Sequence, residues 1–147
     1  MGFLDAIGYG GWVIHFLLWF PVVGMALTLA APEARAKTVA LAVALVELVV
    51  SIPLWFAFDA GTGGFQYVSS IPWIESWGIS YALGIDGISV LLVLLTNFLM
   101  PLAILGSFNY IRARERTFYG MMLLLQTGII GVFAALDLFL FFVFWEL

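Results

Sequence analysis

Four apolar stretches, at 12–30, 39–58, 88–108 and 117–134, decide what this chain can fold into. Each is about 18–21 residues, the length an α-helix needs to cross a hydrocarbon core about 30 Å thick. Lipid offers no water to bond exposed N–H and C=O groups, so a spanning segment satisfies its backbone internally by coiling. A fifth apolar stretch, 136–147, begins the same way and stops short of a full span. The sequence predicts an all-α fold: a polytopic transmembrane bundle of about five helices, the last incomplete, in one transmembrane domain over 1–147.

The rest of the chain narrows the function. Its residues are 65% hydrophobic and 10% charged, against about half and a quarter in soluble domains. There is no cysteine, which removes disulfides, iron–sulfur ligation and thiolate metal sites. A single histidine, His15, builds no haem or metal constellation. No basic stripe marks a nucleic-acid partner. The segment 59–83 carries Gly61, Gly63 and Gly64, the aromatics Phe65, Tyr67, Trp73, Trp77 and Tyr81, and no Lys or Arg. That mixture suits a connection lying at the membrane interface. All five positive charges fall in two alternating loops, Arg35 and Lys37 in 31–38 and Arg112, Arg114 and Arg116 in 109–116. Both loops are therefore expected on the cytoplasmic side, with the N-terminus, 59–83 and Asp137 outside.

Two carboxyls interrupt apolar spans. Glu146 lies about 13–14 Å past Asp137 along a helix, close to the bilayer midplane. A carboxyl there is a candidate proton-loading site, poised between desolvation and a nearby cation. The other reading is a protonated glutamic acid bonded to a neighbouring helix. Glu47 is also mid-span, among Leu45, Val46, Leu48, Val49 and Val50, and the same two readings apply. No Lys or Arg lies inside any span, and a buried carboxylate without a cation is costly. Any ion pair to Glu146 or Glu47 is expected to come from other chain or another subunit. His15 is either a proton shuttle or an interfacial histidine. Asp86 and Asp137 read as helix N-caps, and Asn97 and Gln126 as interhelical hydrogen-bond partners. Pro21 and Pro101 free backbone carbonyls, and Gly128 and Gly131 permit close helix approach.

The stretch Gly84-Ile85-Asp86-Gly87-Ile88-Ser89-Val90-Leu91 resembles the third-helix signature of the subunit M family of proton-pumping NADH:quinone oxidoreductase, respiratory complex I. So does Gly131-Val132-Phe133-Ala134-Ala135-Leu136-Asp137 through Phe144-Trp145-Glu146-Leu147, and Pro72-Trp73-Ile74 fits as well. The resemblance is specific over about 72–147. It implies the N-terminal part of an antiporter-like, proton-translocating membrane-arm subunit. Glu146 then matches the family's relay glutamate, whose lysine partner lies on a later helix. Glu47 matches no family motif. The resemblance further implies an enzyme only as a subunit: NADH, FMN, iron–sulfur clusters and quinone are held elsewhere in the complex, and none on this chain. The implied partners are the antiporter-like L and N type subunits and the lipid bilayer. The implied location is the bacterial inner membrane. Two alternatives stay open. One is a subunit of a related cation/proton antiporter, membrane hydrogenase or photosynthetic complex. The other is a structural bundle without transport. The resemblance also leads one to expect a continuation of the family sequence beyond Leu147.

Overall fold

A computed structural model describes residues 2–147. A short helix α1 (Gly2–Ala6) leads into α2 (Tyr9–Ala30), α3 (Glu33–Ala57), α4 (Gly87–Ser107), α5 (Glu115–Ala134) and α6 (Leu138–Trp145). The four helices α2 to α5 are long and apolar enough to cross a membrane. The bundle is the transmembrane all-α fold that the apolar spans predict.

Several boundaries differ from the hydropathy reading (α2 starts at Tyr9 rather than at 12), and two of them differ for one reason. α3 starts at Glu33 rather than at 39, and α5 at Glu115 rather than at 117. A helix does not end where hydrophobicity ends. Glu, Arg and Lys are good helix formers. Glu33 and Glu115 sit in first turns, where the helix dipole favours a negative charge. The expected loop 31–38 shrinks to Ala31 and Pro32. Arg116 Nε donates to Glu33 Oε2 at 2.6 Å, tying together the starts of α3 and α5.

The connection 59–83 is not featureless. It folds into an antiparallel hairpin, β1 (Gln66–Ile74) and β2 (Ile79–Ile85). A 3₁₀ turn at Glu75–Trp77 joins the strands, and Gly78 completes the reversal at φ 68°. The hairpin is a β element in a chain read as all-α. Its β-branched and aromatic residues favour a pleated, half-buried surface. β1 is largely exposed, whereas Leu83 and Ile85 of β2 are fully buried. β2 lies across the helix ends and corrects the start of the last helix. Leu136, read as the first residue of that segment, instead donates its N–H to the Ala82 carbonyl at 2.8 Å. Ala135 bridges to Leu83. Gly84 permits this approach, because a Cβ there would stand 2.8 Å from Leu136 Cδ1. Helix α6 therefore begins at Leu138, capped by Asp137.

The interior divides into two apolar clusters. At the hairpin end, Leu17, Leu18, Leu54, Leu83, Ile85, Val90, Val93, Ile130 and Ala134 pack together. At the opposite end, Ala40, Val43, Ala44, Met100, Ile104, Tyr119 and Leu123 form the second.

Candidate functional site

Glu146 closes α6 as its C-cap, still in right-handed helical geometry at φ −79° and ψ −13°, with its N–H on the Phe142 carbonyl at 3.0 Å. Its side chain is exposed. The helix that carries it is fixed at two places. At its start, Asp137 Oδ1 accepts from the N–H groups of Phe139 at 2.8 Å and Leu140 at 3.1 Å. The other oxygen, Oδ2, accepts from Ser80 N–H of β2 at 3.1 Å. Farther along, Phe144 and Leu147 lie on Gly128 and Gly131 of α5. A Cβ on Gly131 would run into the Phe144 ring, and one on Gly128 would stand 3.3 Å from the Phe144 carbonyl. The two glycines thus seat α6 close against α5.

Glu47 has the opposite environment. It is fully buried on the face of α3 that carries Ala40, Val43, Ala44, Ser51 and Leu54. Neither carboxyl oxygen has a hydrogen-bond partner among the described residues. Ser51, one turn away, donates to the Leu48 carbonyl instead. The sequence expects any ion-pair partner of Glu47 to come from other chain or another subunit, and none reaches it among the described residues. Glu47 is enclosed by the chain's own helices.

Asn97 and Gln126 do meet, as a span-to-span hydrogen bond requires. Gln126 Nε2 donates to Asn97 Oδ1 at 2.8 Å, and both residues are fully buried. Thr127, also buried, donates to the Leu18 carbonyl on α2 at 3.1 Å. That carbonyl is next to the Leu17 carbonyl, the one that Pro21 leaves without a helical donor.

His15 sits half-buried near the hairpin end of α2. Its Nδ1 lies 3.2 Å from the Tyr81 hydroxyl, and the two rings stack. Trp19 Nε1 donates to the same hydroxyl at 2.9 Å. Burial raises the Tyr81 pKa and the Trp19 bond lowers it, burial being the larger effect. The histidine is thus bonded to the interfacial hairpin. Neither glutamate is among its hydrogen-bond partners. The sequence marks Tyr81 only as one of the interfacial aromatics and does not single out Ser80. Only the strand pairing brings them to α2 and α6, and no local motif signals that pairing. Among the described residues, no three His, Cys, Asp or Glu side chains converge on a point where a metal could be held.

A family model described as NADH-ubiquinone oxidoreductase chain 4, amino terminus, matches residues 16–132. That match ends before α6 and so does not include Glu146. The chain is 42% identical over 120 residues to NAD(P)H-quinone oxidoreductase chain 4 2 of Thermosynechococcus vestitus, covering 79% of this chain and 22% of that protein. It is 43% identical over 116 residues to NADH-quinone oxidoreductase subunit M of Rhodobacter capsulatus, again covering 79% of this chain and 22% of the relative. The chain thus spans about a fifth of the length of these relatives. Among solved structures, a chain of the Mrp complex from Dietzia sp. DQ12-45-1b matches with a TM-score of 0.74 and 18% identity. That match covers 90% of this chain and 14% of the other. At that identity the likeness is one of fold.

Proposed function

The chain belongs to the family of NADH-ubiquinone oxidoreductase chain 4, amino terminus, and from that membership we propose a part in moving protons across a membrane. It is read as the N-terminal portion of a proton-translocating membrane-arm subunit of NADH:quinone oxidoreductase. Glu146 is the group that takes up and releases the proton. Electron transfer belongs to other subunits of the complex. The chain sits in the cytoplasmic membrane, with its N-terminus outside and other membrane subunits, of the antiporter-like kind, packed beside it.

The observation that carries this reading is the anchoring of α6, by Asp137 at its start and by Phe144 against Gly131 and Gly128, which would hold Glu146 about 13–14 Å from the membrane face. A carboxyl facing only lipid would stay neutral and idle. A carboxyl facing a further helix can meet a cation there, lose its proton, and regain it when the cation moves away. The spans of this chain hold no Lys or Arg at that depth, so the cation comes from another helix.

The test uses the assembled complex. Glu146→Gln keeps size and hydrogen bonding but has no ionisable proton. The variant is expected to assemble and to lose NADH-driven proton translocation at least ten-fold, with coupled quinone reduction falling alongside. Glu146→Asp retains partial activity, since the proton stays and its reach shortens by a methylene. Parent-like pumping by Glu146→Gln would defeat the assignment. A sodium flux that depends on Glu146 would move the reading to a cation/proton antiporter subunit.

A further inference from the structure

Three buried polar groups, Glu47 of α3, Asn97 of α4 and Gln126 of α5, fall on one level. Beneath the hairpin, α3 ends at Ala57, α4 begins at Gly87 and α5 ends at Ala134. At the α-helical rise of about 1.5 Å per residue, Glu47 lies about 15 Å from Ala57. On the same measure Asn97 lies about 15 Å from Gly87, and Gln126 about 12 Å from Ala134. The apolar clusters mark the same level. On α3, Ala44 belongs to the far cluster, and Val50 and Leu54 to the near one, with Glu47 between them. Val93 and Met100 bracket Asn97 in the same way, as Ile130 and Leu123 bracket Gln126. A thin polar layer therefore separates two dry clusters in the middle of the membrane.

The layer is unsatisfied. Both oxygens of Glu47, the amide nitrogen of Asn97 and the amide oxygen of Gln126 are buried without a partner among the described residues. Pro101 adds one more acceptor, because it lacks the N–H that would bond the Asn97 main-chain carbonyl. Groups left so in an apolar interior are costly, and buried polar atoms of this kind ordinarily share a water. They also match in kind. Asn97 offers N–H, while Gln126 and the Asn97 carbonyl offer lone pairs. A glutamic acid offers both an O–H and a carbonyl.

No other charge of α2 to α5 faces this level, and Glu146 on α6, which packs against α5, is a carboxyl and so offers Glu47 no counter-charge. Helices α2 and α4 contain no charged residue. The charges of α5 are Glu115 and Arg116 in its first turn. Those of α3, besides Glu47, are Glu33, Arg35 and Lys37. Even Lys37 stands about 15 Å from Glu47 along the helix. His15 and Tyr119 belong to the near and far ends. An ionised Glu47 would stand uncompensated, which is the costly form of a buried carboxyl.

We propose that Glu47, Asn97 and Gln126 enclose a proton-and-water site inside the bundle, with Glu47 in its acid form joined to the amide pair through exchangeable water. The site is separate from Glu146 and does not depend on the role given to that residue. Its chemistry is proton exchange between a carboxylic acid and water, with no net change of charge.

Infrared difference spectroscopy on the membrane complex containing the full-length polypeptide tests it. Parent minus Glu47→Gln is expected to show the loss of one protonated-carboxyl C=O band at neutral pH. In the parent that band shifts to lower frequency when D2O replaces H2O. If no such band is lost, Glu47 is ionised and the proposal fails. If the band is lost but ignores D2O, the site is dry and the proposal fails too. Asn97→Ser and Gln126→Ala should each displace the Glu47 band, and a band unmoved by both overturns the joint site. Glu47→Asp, which keeps the acid, moves the band rather than removing it, and gives the same answers if the glutamine variant does not accumulate.

Discussion

Asp86 shows what one side chain can set. It accepts from the N–H groups of Ser89 at 2.7 Å and Ile88 at 3.1 Å and so starts α4. The bonds from Ser89, chiefly its backbone N–H, hold the Asp86 carboxyl below the usual carboxylate range. An unfolded aspartate titrates near pH 4. The cap's stabilisation is therefore complete above that pH and is lost as pH falls through the lower folded value. Asp86→Ala is expected to cost about 1 kcal/mol at neutral pH, with the gap in apparent Tm between parent and variant closing in acid. A gap that stays constant down to the lowest accessible pH would contradict this. Such caps are legible in sequence because their bonds reach only two or three residues along the chain. The exposure of a side chain is not local in that sense. Glu146 and Glu47 read alike as mid-span carboxyls, and only the packing of the helices around it shows that Glu47 is sealed.

Pairs of helices recognise one another through few polar contacts. Asn97 and Gln126 join α4 to α5 with a single buried bond. Asn97→Leu strands the Gln126 amide, and Gln126→Leu strands Asn97, each at about 1–3 kcal/mol. The double variant should cost less than the sum of the singles, since it leaves neither group orphaned. Additive costs in a thermal double-mutant cycle would show that the bond does not couple the helices. The pairing was readable as a type of contact, because an amide in an apolar span needs a partner. The identity of the partner needed the register between helices, which the bundle sets. The hairpin was unreadable for a related reason. Its strands are held by pairing across the turn and by the helix ends beneath them, while their own pattern alternates poorly.

Across the whole molecule, apolar length gave the bundle, and the basic residues give its direction. Arg35, Lys37, Arg112, Arg114 and Arg116 gather at the end opposite the hairpin, the end that the proposed topology sets in the cytoplasm. A cysteine replacing Asn109 should react with an impermeant thiol reagent from the cytoplasmic side only. Outside labelling would invert the topology. The junction at Asp137 reaches farther than its position on the rim suggests. Ser80 and two N–H groups of α6 fix that aspartate, and a rigid helix runs from it to Glu146. Each residue of that helix turns the chain by about 100°. The compass bearing of the glutamate is therefore dialled in at the water's edge. One alanine inserted after Leu138 would swing Glu146 about a quarter-turn or more around α6 while every residue of the mid-membrane site stayed present. Pumping should fail in that variant with its subunits assembled, and pumping that survives would mean that the bearing is set elsewhere.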